Sequence, residues 1–239
     1  MDAEILKKRF WSDVSVDVLN DGYAIKLDDK PLRTPAKQAF VVPSAGLAHA
    51  VADEWSLLGD TIDPNRLPFT KLCNAAIDNM AQKAGAVVEA LVAYAETDLV
   101  CYRADSPSGL VERQSAAWDP LLTWLTDVHD LFMVQTTGIL PVDQPPATVE
   151  HFHVWLRGMD DFRLMAVHDL VMLSGSIVVA RAVVEGQLSA DQGWSVSIVD
   201  EIWQADTWWE DDEAIKFRAA KSKDFEIAAR MMSYLQTDE

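Results

Sequence analysis

Cysteine is nearly absent from this sequence, with only Cys73 and Cys101 among 239 residues, both in apolar surroundings. Two isolated thiols build neither a disulfide framework nor a zinc site, and they suit a reducing compartment. Long apolar runs are missing too: none reaches the ~18 uninterrupted residues a membrane-crossing helix needs. The nearest candidate, 162–184, is interrupted by Arg163, His168, Asp169 and Arg181 and reads as a buried core helix. The opening MDAEILKKRFW has no apolar signal core and lacks the Arg- and Ser-rich, acid-poor character of an organelle presequence. A bacterial cytoplasmic protein is expected.

Cations are scarce. Lys and Arg total 20 against 38 Asp and Glu, a formal charge of -18. Such a surface repels nucleic acid and anionic membranes, so neither is expected as a partner, while encounter with a basic or partly basic protein is favoured.

Catalytic patterns are also missing. There is no Gly-rich phosphate loop, dinucleotide fingerprint or nucleophile elbow. The five histidines are His49, His129, His151, His153 and His168. His151 and His153 stand two apart on a predicted helix, about 200° around its axis, so they cannot share a metal. His168-Asp169 lies within an apolar helical pattern and reads as a core or interface pair. Ser174-Gly175-Ser176 falls in mid-helix, where small residues allow a close helix crossing. Cys101 precedes Tyr102-Arg103, and the arginine could lower its pKa. No cofactor and no metal is expected.

The residues present describe strands followed by helices. Val14, Val16 and Val18 alternate with polar residues, Asn20-Asp21-Gly22 makes a turn, and Tyr23 to Leu27 returns. A second turn, Asp28 to Pro31, and a short strand, Phe40 to Val42, complete an antiparallel meander. From Ser44 the period becomes helical through Leu47, Val51, Trp55 and Leu58, with Gly59 as the expected cap. Further helices are predicted over 69–80, 83–96, 107–131, 148–157, 160–185, 189–206 and 210–235. Ser106-Pro107 and the capping box Ser189 to Gln192 mark two starts, and Asp119-Pro120 should break or kink a third. The fold class is α+β. The division is a small strand-rich domain with one helix, 1–68, and a helical domain, 69–239.

Tryptophan is plentiful, with nine in the chain, and Trp203, Trp208 and Trp209 fall within one acidic segment. Asp200, Glu201, Asp206 and Glu210 to Glu213 surround them without a basic residue. Two readings stand side by side. The tryptophans cover the core of a solvated helix end, whose acids suit the first turn of the next helix. Alternatively the segment is a binding surface, since tryptophan is enriched at interface hot spots.

Several segments, in order along nearly the whole chain, resemble one family. They are Lys8-Arg9-Phe10-Trp11, Leu27 to Lys37, Glu54-Trp55 with Asp63-Pro64, and Leu67 to Asp78. Thr97 to Arg103, Arg113-Gln114, Trp118 to Leu122, and Asp200-Glu201 with Trp203-Gln204 and Glu213-Ala214 follow. The sequence resembles the ATP12-type assembly chaperones that bind the alpha subunit of F1-ATP synthase, in mitochondria and alphaproteobacteria. The family usually has a Trp-Gly pair where this chain has Trp208-Trp209, which removes the freedom of glycine there. The resemblance implies a non-enzymatic chaperone that covers the beta-facing apolar surface of a free alpha subunit, without ATP hydrolysis. It implies a mitochondrial matrix location for the eukaryotic relatives.

On this reading Asp200, Glu201, Trp203, Trp208 and Glu213 are the candidate partner-binding residues. Trp55, Arg33, Asp98, Arg103 and Asp119 are expected to be structural. Trp55 would anchor the first helix, and Arg33 would pair with a carboxylate. Asp98 and Arg103 would be buried partners, and Asp119 would cap a helix beginning at Pro120. The free protein is expected to be a monomer, keeping its apolar surface for the client. Two alternatives are a small hydrolase or transferase using Cys101 or His168, and an adaptor for some other protein.

Overall fold

A computed structural model describes residues 7–138, 140–207 and 212–236. Strands β1 (Val14–Leu19) and β2 (Gly22–Leu27) form an antiparallel hairpin in which Val14 faces Leu27 and Leu19 faces Gly22. The short strands β3 (Lys30–Pro31) and β4 (Val41–Val42) also pair antiparallel with β2, which is therefore the central strand. Gly22 has φ +145°, and a Cβ there would stand 2.5 Å from the Val42 carbonyl oxygen. Only glycine permits both that backbone and that approach. Helix α1 (Ala45–Ser56) lays Leu47, Ala48, Val51, Ala52 and Trp55 on β1 and β2. The Ser44 hydroxyl accepts the Leu47 N–H and starts the helix. The helix ends at Leu57 in an ordinary right-handed conformation, so Gly59 is not its cap.

Everything that follows is essentially helical. Helix α2 (Pro68–Ala75) runs through a π-helical turn at Ala76–Met80 into α3 (Ala81–Glu96). A 3-10 turn at Leu99–Cys101 leads to β5 (Tyr102–Arg103), which pairs in parallel with β6 (Thr136–Thr137). Between them lies α4 (Ser108–His129). Then come α5 (Pro146–Arg157), α6 (Asp161–Ser174), α7 (Ile177–Val184), α8 (Ala190–Ser197), α9 (Val199–Thr207) and α10 (Asp212–Gln236). Strands first and helices after give the α+β class expected from sequence.

Several boundaries differ from the sequence expectation. The segment 160–185 is two helices, because Gly175 adopts φ +70° and Ser176 caps α7 by accepting the Val179 N–H. Ser174-Gly175-Ser176 is thus a helix break, not a mid-helix contact. Segment 189–206 divides at Ile198. Pro107, not Ser106, is the residue before α4. Helix α4 runs uninterrupted through Pro120, because Trp118, Leu121, Leu122 and Leu125 around it are buried. Their burial outweighs the roughly 3 kcal/mol that an interior proline costs a helix.

Contacts gather the chain into two compact units: Met1–Ala84 with Asp160–Ala166 and Arg230–Glu239, and Gly85–Met159 with Val167–Ala229. The boundary expected after residue 68 lies inside the first. In that unit Phe69 packs against Tyr234, and the Arg230 guanidinium stacks 5.3 Å from the Phe69 ring centroid. In the second, α4 packs on α7 and α9, and α7 on α8. No helix among the described residues is long and apolar enough to cross a membrane.

Candidate functional site

Helix α9 carries three of the candidate partner-binding residues, Asp200, Glu201 and Trp203. It has no fully buried residue, although Ile198, just before it, is 9% exposed. Asp200 is half-buried and accepts from Gln114 Nε2 at 2.7 Å. Gln114 is 2% exposed, and its Oε1 accepts the Ala104 N–H at 2.8 Å. Asp200 therefore anchors α9 to α4 through an amide that is hydrogen-bonded at both its oxygen and its nitrogen. Glu201, one position on, is exposed, and its side chain forms no hydrogen bond or ion pair among the described residues. A step of about 100° around the helix separates a fastened carboxylate from a presented one.

Trp203 is half-buried and lies against α4 at Gly109, where a Cβ would come within 2.7 Å of Cη2. The Arg113 guanidinium stacks on the indole at 4.9 Å from the ring centroid, and its Nη1 meets Asp206 Oδ2 at 2.7 Å. Both partners of that ion pair are about half exposed (45% and 54%), so it orders the arginine more than it stabilises the fold. Next to this cluster a groove of about 560 Å³ runs between α4 and the α8–α9 pair. Its lining is Arg113, Ala116, Ala117, Ser195, Ile198, Val199 and Ile202. Glu213 is exposed in the first turn of α10, where negative charge suits the helix dipole. Trp208 lies outside the described residues.

The residues expected to be structural are placed as follows. Trp55 is 8% exposed, stands edge-on to Trp11 at 5.1 Å, and donates from Nε1 to Thr70 Oγ1 at 3.0 Å. Beside it the Glu54 carboxylate accepts the N–H groups of Phe69 and Thr70 and the Thr70 hydroxyl. Burial nevertheless holds the Glu54 carboxyl above its ordinary pKa, because desolvation exceeds those hydrogen bonds. Arg33 donates to the Lys37 carbonyl at 3.0 Å, so its partner is backbone and not a carboxylate.

Asp98 and Arg103 do not pair with each other. Asp98 is fully buried and accepts the Ser176 hydroxyl at 2.6 Å and the N–H groups of Val100 and Val178. Its carboxylate thus fills the break between α6 and α7, and burial raises its pKa to about 6. Arg103 instead meets Asp119 Oδ1 at 2.8 Å, donates to the Val100 carbonyl, and stacks 5.2 Å from the Trp118 ring. Asp119 is therefore an ion-pair partner within α4, not a cap at Pro120.

The groups weighed for catalysis are differently disposed. Burial, with the Asp98 charge, pushes the Cys101 thiol up to about 12, overriding Arg103 and reversing the expected lowering. Cys73 is likewise pushed up by burial. His168 Nδ1 lies 2.9 Å from Asp169 Oδ1. No group of three or more potential metal ligands occurs among the described residues.

In the sequence Gln114 has a place in the family resemblance but no role, and the groove is not revealed there. Gln114 stands four and seven residues before Trp118 and Leu121, on the buried stripe of α4. An amide on an apolar stripe signals a buried polar bond, and that signal was available. The groove was not, since it joins Ala116 to Ile202 across more than eighty residues.

Residues 8–126 match the family described as ATP12 chaperone protein. The structure of Atp12 from Paracoccus denitrificans superposes with a TM-score of 0.92 at 37% identity, over 95% of this chain and 97% of that one. An aspartate-to-lysine mutant of the same protein gives 0.92 at 36%, over 95% and 97%. A protein of Agrobacterium tumefaciens gives 0.92 at 39%, over 97% of this chain and 87% of that one. With one fold and more than a third of its residues shared along nearly the full length, the chain belongs to the ATP12 family of ATP synthase assembly chaperones.

Proposed function

We propose that this chaperone binds the free alpha subunit of F1-ATP synthase and covers its beta-facing surface until the ring assembles. It does so in the cytoplasm as a monomer, as a binding protein and not an enzyme, without hydrolysing ATP. The likeness to Atp12 along nearly the whole chain is the observation that carries this reading. Alpha subunits awaiting beta expose apolar surface, and such patches aggregate unless covered. A chain of formal charge -18 with a half-exposed tryptophan suits a client surface mixing apolar and basic groups. The contact surface is assigned to Asp200, Glu201 and Trp203, with Trp208 and Glu213 extending it.

Co-expression with the alpha or the beta subunit, followed by size exclusion, tests the reading. A one-to-one soluble complex with alpha and none with beta is expected. Equal capture of both, or of neither, would overturn it.

A further inference from the structure

The groove between α4 and the α8–α9 pair has a composition unlike that of its rim. Its floor is made of Ala116, Ala117, Ile198, Val199 and Ile202. About 560 Å³ is more than one side chain fills and less than a folded domain requires. Arg113 is the sole cation in the lining, and Asp206 and Trp203 already hold it. Helical spacing puts three acids beside the lining: Glu112, one turn before Ala116, Asp191, one turn before Ser195, and Glu201, three residues after Ile198. All three are exposed, and none makes an ion pair among the described residues. An apolar floor inside three unspent negative charges is complementary to an apolar stripe flanked by positive ones.

We infer that this groove seats one amphipathic helix of the client, its apolar stripe on Ala116, Ala117, Ile198 and Ile202 and its lysines or arginines one turn away against Glu112, Asp191 and Glu201. The inference rests on the proposed client reading and adds where, and through what chemistry, the client is held. Apolar burial supplies affinity, and the rim charges select partner and orientation. A helix of the same apolar stripe with acidic flanks is repelled.

The test uses the full chain and two fluorescent helical peptides with identical leucine stripes, one flanked by lysine and one by glutamate. The lysine peptide should bind at least ten-fold tighter, with an advantage that shrinks as salt rises. Ala116→Phe, at an exposed lining position, should fill the groove and weaken that peptide ten-fold or more without lowering the melting temperature. Should that variant melt early, Ser195→Phe at another exposed lining position gives the same reading. Equal affinity for the two peptides, or no effect of groove filling, overturns the inference. So does a wild-type dimer in sedimentation that Ala116→Phe dissociates, since a second copy would then be the occupant. If wild type and Ala116→Phe capture the alpha subunit equally, the groove assignment fails while the client reading stands. If neither captures alpha but the lysine peptide still occupies the groove, the client reading fails and the groove assignment stands.

Discussion

The surroundings of Trp55 and of Trp203 are built from the same kinds of side chain, a tryptophan, a carboxylate and a hydrogen-bonding neighbour, and they end in opposite conditions. Around Trp55 the indole N–H reaches Thr70, Glu54 takes three donors, and the ring is 8% exposed. Around Trp203 the indole is half exposed, one carboxylate is fastened to Gln114, and the next faces solvent. Composition does not distinguish the two. Closure does: a satisfied, buried cluster contributes to folding, whereas a half-closed one keeps contact area and charge for a partner.

The largest way to break this comparison is Trp55→Ala, which should cost roughly 3–5 kcal/mol in urea unfolding. Trp203→Ala should cost well under half of that and yet weaken capture of the alpha subunit more. An equal loss of stability at the two sites would erase the distinction.

Asp98 extends the comparison to carboxylates. Its folded pKa of about 6 lies above the ordinary 3.8, so its protonated form favours the folded state. That stability is fully present below pH 3.8 and is lost as pH rises through about 6. Relative to Asp98→Asn, the wild type should therefore lose stability on the order of 3 kcal/mol across that window. Unfolding curves at several pH values read the difference, and a difference rising with pH would contradict it.

Asp200→Lys removes the acceptor of the Gln114 amide and should cost about 1–3 kcal/mol in addition to weakening capture of the alpha subunit. Glu201→Lys is the smallest change in folding, within about 0.5 kcal/mol, because nothing in the fold holds that carboxylate. It should still weaken capture of the alpha subunit about ten-fold at low salt. A melting temperature that fell as far for Glu201→Lys as for Asp200→Lys would place both residues in the fold.

Much of the fold was legible. The hairpin announced itself through Val14, Val16 and Val18, and the capping box at Ser189 is present with both its hydrogen bonds. The break at Gly175 was hidden because apolar residues continue on both sides of it, so periodicity marks no boundary. Its signature was the serine after the glycine, which caps α7. The break offered as one outcome at Pro120 does not occur, since a proline stops a helix only where packing does not overrule it. Asp98 and Arg103 found partners at Ser176 and Asp119, beyond the reach of local spacing. The candidate site was half legible: the acids and tryptophans of α9 could be read as a cluster, but which carboxylate the fold consumes depended on Gln114.

Gly109 has a consequence for clearance. Because the Trp203 indole comes so close to that residue, α9 is held against α4 at a distance fixed by the absence of a side chain. The two helices that pinch there are the walls that part around Ala116 and Ile202. The spacing of the groove's two walls is thus set in part at Gly109, and a single methyl there would be felt in the groove as a change in width.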